Sequence, residues 1–145
     1  MADWQNPVFD RTQADVNYAK AQLSKNINDT ELKGCFNVTD INRIENNTRY
    51  LADELCKLYY FNNIQTSPWA MGEIPRAIYV NRIINNVGRL WDKYQKPNGS
   101  DALPPSILTY GHANSIEKNL YLIKEMLDNM VGSFRECGTF NCGED

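Results

Sequence analysis

Apolar residues recur along this chain in alternating steps of three and four, the spacing that lines up one face of an α-helix. One run is Ile41, Ile44, Thr48, Leu51, Leu55 and Leu58. A second is Val80, Ile83, Val87, Leu90 and Tyr94, and a third is Ala113, Ile116, Leu120, Ile123, Leu127 and Met130. A weaker run, Val16, Ala19 and Leu23, precedes them. The pattern predicts helices near residues 12–30, 37–60, 75–95 and 109–132, with no convincing strand alternation anywhere. The fold class is therefore all-α, with a polar, non-helical tail over 133–145.

Each run opens on one repeated motif. The copies are Thr12-Gln-Ala-Asp-Val-Asn17-Tyr-Ala19, Asn37-Val-Thr-Asp-Ile-Asn42-Arg-Ile44, Arg76-Ala-Ile-Tyr-Val-Asn81-Arg-Ile83 and Thr109-Tyr-Gly-His-Ala-Asn114-Ser-Ile116. Another amide follows each motif Asn by five residues: Gln22, Asn47, Asn86 and Asn119. Thr12, Asn37 and Thr109 are good N-cap residues. Asp15 and Asp40 stand where a capping box wants an acceptor, and Phe36 with Ile41, and Leu108 with Ala113, are placed as hydrophobic staples. The third copy departs: Arg76 is a poor cap, and Pro75 suits a first turn.

The Lys33-Gly34 break predicts that the first two helices are antiparallel neighbours. The motif Asn residues are 25, 39 and 33 positions apart. A solenoid wants a fixed period, so the spacing favours a closed bundle of two helical hairpins, residues 1–61 and 62–132, in one domain. Four copies of Asn17, Asn42, Asn81 and Asn114 in the second helical turn point to a structural role, tying a preceding loop or a neighbouring helix start by side-chain hydrogen bonds. A row of amides that binds a sugar or a partner's backbone is the alternative.

Composition narrows the function. With 15 basic and 18 acidic residues among 145, the net charge is −3, and neither half is basic, so duplex nucleic acid is not an expected partner. No signal peptide and no run of the ~18 apolar residues a membrane helix needs is visible, which predicts cytoplasmic synthesis and no membrane partner. Cys35, Cys56, Cys137 and Cys142 read as reduced thiols, the last two alternatively as a terminal disulfide; their spacing does not suit a zinc knuckle. His112, the single histidine, falls in a helix cap. No phosphate loop or paired carboxylate is recognisable, so no catalytic, cofactor or metal site is expected. Eight Tyr, five Phe and three Trp leave aromatic anchors as the main interaction candidates: Tyr59, Tyr60, Trp69, Phe134 and Phe140. Trp4 and Trp69 precede the first and third motif Asn by 13 and 12 residues, a regularity that suggests packing across the hairpin ends.

Thr39-Asp-Ile-Asn-Arg-Ile-Glu-Asn-Asn47, Leu108-Thr-Tyr-Gly-His-Ala-Asn-Ser-Ile-Glu117 and Ser133-Phe-Arg-Glu-Cys-Gly-Thr-Phe-Asn-Cys-Gly-Glu144 resemble segments of tail-associated structural proteins in phages and prophages of Firmicutes. Similar helical modules there carry Asp-x-Asn-Arg-Ile-Glu and a Ser-Phe-Arg…Gly-Thr-Phe…Gly-Glu ending. The resemblance spans most of 37–144, with Arg76 and Ile84 departing from it in the third copy. It implies a non-enzymatic virion component of the tail, baseplate or fibre, assembled in a bacterial cytoplasm, whose partners are other virion proteins or further copies of itself. A host-surface glycan-binding module is the alternative, and a small enzyme or regulator of a host protein the second.

Overall fold

A computed structural model describes residues 2–25, 32–58, 64–73, 76–107 and 109–136; the side chains of Leu58, Tyr94 and 133–136 are not among what it describes. Four helices follow one another: α1 (Gln13–Ser24), α2 (Val38–Leu58), α3 (Ala77–Tyr94) and α4 (Tyr110–Glu136). Among the described residues there is no strand. The all-α bundle expected from the apolar stripes is what forms. α4 runs four residues past its expected end, so 133–136 belong to a helix rather than to the tail. Gly132 lies inside that helix, where glycine costs helix stability without breaking the chain's course.

The starts follow the capping chemistry of the motif. Thr12 accepts from the Asp15 N–H and Asp15 accepts from the Thr12 N–H, a complete capping box. Asn37 N–H donates to Asp40 Oδ2 at 2.9 Å, and His112 N–H donates to Thr109 Oγ1 at 3.2 Å. Arg76 gives α3 no side-chain cap.

α2, α3 and α4 all pack on one another. Their stripes meet in one core: Ile44, Leu51, Leu55, Val87, Leu90, Ile116, Leu120 and Ile123 are each at most 1% exposed. The extended segments between helices show how the three are directed. Along 64–69 the partners on α2 are Arg49 and then Asn42, and those on α3 are Asn86, Arg82 and then Tyr79. Along 3–11 the partners on α2 are Asn47 and then Asp40, and those on α4 are Lys124, Glu117 and then Asn114. Both helices are read backwards in each case, so α2, α3 and α4 run parallel.

Two antiparallel hairpins therefore do not describe the bundle. The physical reason is connection length. The 18 residues between α2 and α3, at about 3.3 Å each, are long enough to bring the chain back to the end where it began. The Lys33-Gly34 turn is likewise not a hairpin loop. An added Cβ on Gly34 would stand 2.1 Å from the Asp15 carbonyl oxygen, so the chain leaving α1 at Ser24 has returned to the start of α1 before α2 begins. α1 itself contributes little to the core, with Ala19 its one buried residue.

Candidate functional site

The most distinctive chemistry of the molecule lies between helices and crossover segments. A carboxamide has the donor and acceptor of a peptide group, so an Asn side chain can hold one residue's N–H and C=O together. Four Asn residues do this. Asn42 Oδ1 accepts from Trp69 N–H at 2.8 Å, and its Nδ2 donates to the Trp69 carbonyl at 2.9 Å. Asn47 grips Gln5 at 2.9 and 2.8 Å. Asn114 grips Arg11 at 3.2 and 2.9 Å, and Asn119 grips Asp101 at 2.9 and 3.1 Å. Asn86 makes half of the same contact, donating to the Gln65 carbonyl at 2.9 Å while its buried Oδ1 has no partner.

Five residues along a helix turn through about 140° beyond a full circle. The two amides of α2, and those of α4, therefore stand on opposite shoulders of the core stripe and reach the two grooves beside it. Residues 3–11 fill the groove between α2 and α4, and 64–69 the groove between α2 and α3. Asp101 opens a third segment, held to α4.

A buried ion cluster reinforces the first groove. Arg11 Nη2 lies 2.9 Å from Asp40 Oδ1 and 3.0 Å from Glu117 Oε1, with side-chain exposures of 2% for Arg11 and 1% for Glu117. Arg43 Nε donates to Glu117 Oε2 at 2.9 Å, and its Nη2 reaches Asp40 and Glu117. Val8 N–H also donates to Glu117. Two guanidinium groups thus balance two carboxylates, which lets charges sit inside at all. Burial opposes the charge on Arg43, but Glu117 and Asp40 outweigh it and hold its pKa above the usual arginine value.

The second groove repeats the arrangement with fewer groups. Arg82, placed like Arg43 one residue after the motif Asn, pairs with buried Glu45, placed like Glu117 three residues after it. Glu45 also accepts from the Trp69 indole N–H at 3.3 Å. Burial pushes the Glu45 carboxyl above its ordinary pKa, against the pull of Arg82 and Trp69. At the third position the corresponding residues are Ser115 and buried Ile84, so the buried Arg–Glu pair is not repeated there, and a partly exposed pair, Lys118 Nζ with Asp101 Oδ1 at 2.9 Å, ties the third segment to α4 instead.

Of the predicted motif residues, Asn42 and Asn114 bond backbone remote in sequence, at Trp69 and Arg11, rather than the loop preceding their own helix. Asn17 does not: it is exposed and only accepts from Gln13 Nε2 at 3.0 Å. Asn81 is exposed too and lines a cavity of about 730 Å³ with Ile41, Trp69, Val80, Ile83 and Ile107. The residue 27 positions after Asn42 is Trp69; the residue at that distance from Asn81 is Leu108, outside the described residues. Glu73 is the one ionisable residue in the described lining, and it caps the Ala70 N–H at 2.9 Å.

Trp69 is half-buried, edge-on to Tyr79 with ring centroids 5.4 Å apart. Trp4 packs on Tyr50 at 5.7 Å. Both tryptophans rest against the core, but Trp4 from the segment ahead of α1 and Trp69 from the crossover between α2 and α3, rather than across hairpin ends. Tyr59, Tyr60, Phe140, Cys137 and Cys142 lie outside the described residues, as does the side chain of Phe134. Cys35 is half-buried and Cys56 exposed, and no disulfide joins them. Among the described residues no group of His, Cys, Asp and Glu is arranged to hold a metal ion, and no helix is long and apolar enough to cross a membrane.

The fold and the site together define an all-α bundle whose conspicuous polar side chains grip its own main chain. Compared with known proteins, the chain matches no family model, no curated protein and no solved structure.

Proposed function

We infer that this chain is a non-enzymatic structural or adaptor component of a phage tail, baseplate or fibre. The observation that carries the reading is the use made of the polar groups. The buried amides and ion pairs hold segments 3–11 and 64–69 and Asp101 against three helices, which suits a rigid scaffold more than a reactive site. The Asp-x-Asn-Arg-Ile-Glu resemblance supplies the virion setting. Its residues now have physical roles: Asp40 and Arg43 belong to the ion cluster, Asn42 and Asn47 are clamps, and Glu45 meets Arg82. The test is mass spectrometry and antibody labelling of purified particles from a host carrying this gene. The chain should appear at a fixed ratio to other tail proteins, and its absence from particles overturns the reading.

A second reading, binding of host-surface glycan, draws on one feature. A shallow hollow of about 400 Å³ joins Trp69 and Tyr79 to Glu73 and Arg76, combining ring faces with polar groups. Tyr79 is 40% exposed, so Tyr79→Ala should leave folding intact. Loss of cell adsorption in that variant favours the glycan reading; unchanged adsorption removes it.

A further inference from the structure

We propose that residues 3–11 are an exchangeable strap, and that the groove between α2 and α4 accepts this same segment from a second copy of the chain. The proposal deepens the scaffold reading, since it names the partner and the surface by which copies join.

The groove is built to need a strap but not to need its own. Asn47 and Asn114 hold the backbone of Gln5 and Arg11, and Asn46 Nδ2 donates to the Asp3 carbonyl at 2.6 Å. Glu117 takes the Val8 N–H and the Arg11 guanidinium. Emptying the groove would leave a buried carboxylate and two amides short of partners, each a substantial penalty. A neighbour's strap satisfies them equally, because the contacts are main-chain groups plus three side chains, Trp4 against Tyr50, Phe9 against Tyr121 and Arg11 against Glu117 and Asp40. The occupant is thus defined chemically: an extended segment with Trp followed seven residues later by Arg.

The strap's tie to its own bundle is weak by comparison. It runs through α1, of whose stripe only Ala19 is buried. Leu23 is 47% exposed, while its motif equivalents Thr48, Val87 and Leu120 are at most 1% exposed. Tyr18 on the same helix is 60% exposed. Moving the strap and α1 together to another copy preserves every strong contact and gives up little apolar burial, the condition under which identical elements trade places at low cost. Reciprocal exchange closes a two-fold dimer and sets α1 of each chain between the two bundles.

A tethered strap competes at an effective concentration on the order of 1 mM, so dilute protein is monomeric and exchange belongs to crowded or assembled states. The test is light scattering on the full chain, concentrated to about 1 mM, warmed through partial unfolding and cooled, then measured at once after dilution. Exchange gives a species of twice the 16.7 kDa chain mass. Excess synthetic peptide spanning residues 2–12 should return it to monomer, and the peptide with Trp4→Ala and Arg11→Ala should not. A single monomeric mass throughout overturns the proposal, and so does a dimer indifferent to the peptide, which must use another surface. Failure here is separable from failure of the scaffold reading: a monomer found in particles sinks the exchange alone, and a strap-exchanged dimer absent from particles sinks only the virion role.

Discussion

At the residue scale, side-chain position on the helix decides which amides matter. Asn42→Ala or Asn114→Ala removes both partners of a peptide group and should cost about 1–3 kcal/mol. Asn17→Ala, at an exposed site, should stay within about 0.5 kcal/mol. Urea unfolding of the three variants checks the contrast, and equal losses in all three would refute it. Glu117→Gln leaves two buried guanidinium groups facing one charge, and should cost about 3–5 kcal/mol. Glu45 gives a pH signature. Its carboxyl has a raised pKa in the folded state, so its contribution is fully present below the ordinary value of 4.5 and is lost as pH rises through the folded value. Glu45→Gln should therefore gain stability relative to the native chain between acid and neutral pH. A constant difference in urea melts across that range would rule this out. The recurring amides were visible in the sequence, but their roles were legible only in part. Nothing local distinguishes Asn42, which meets Trp69, from Asn17, which meets solvent. Arg11 carried no signal at all, because its partners Asp40 and Glu117 lie 29 and 106 residues away.

At the element scale, helices were readable because their determinants are local. The α2, α3 and α4 stripes, the Thr12–Asp15 capping box and the uncapped Arg76 all stand as the spacing predicts. Thr12→Ala should cost about 1 kcal/mol, seen as a lowered melting temperature, whereas Arg76→Ala should leave melting unchanged since no cap bond is lost. Helix direction was not readable. Antiparallel pairing follows from a short loop, and the Lys33-Gly34 break looks like one. Gly34 instead serves a close approach to the backbone of Asp15 and Val16, and only the fold reveals that. The end of α4 was also missed, because a glycine at position 132 reads as a stop signal although the helix continues through it.

At the scale of the molecule, helices running one way must be joined by segments running the other way, and those segments become part of the body. The pairing of residues 5 with 47, 11 with 114 and 69 with 42 ties distant parts of the chain, unlike the local contacts of an up-and-down bundle. Unfolding should consequently be one transition. Trp4 lies on the segment ahead of α1, Trp69 on the crossover between α2 and α3, and Trp91 on α3, so tryptophan fluorescence reports mainly on the groove-filling segments while far-UV circular dichroism reports the helices. The two urea curves should superimpose. Crossovers that melt first would show that the clamps decorate the bundle rather than hold it.

An amide that grasps another residue's N–H and C=O is blind to the side chain between them. The helices carry the amides and charges that do the gripping, while the held segments supply extended backbone anchored by a few side chains, Trp4, Arg11 and Trp69. Gln5 and Asp101 are held as firmly as Trp69, though the three share no chemistry beyond the peptide link. Where the held side chain is exposed, as at Gln5, replacement is therefore inexpensive provided the residue is not proline, whose missing N–H would break the grip. A scaffold of this kind can accept new surface residues on its crossovers, and so new neighbours, without renegotiating its fold.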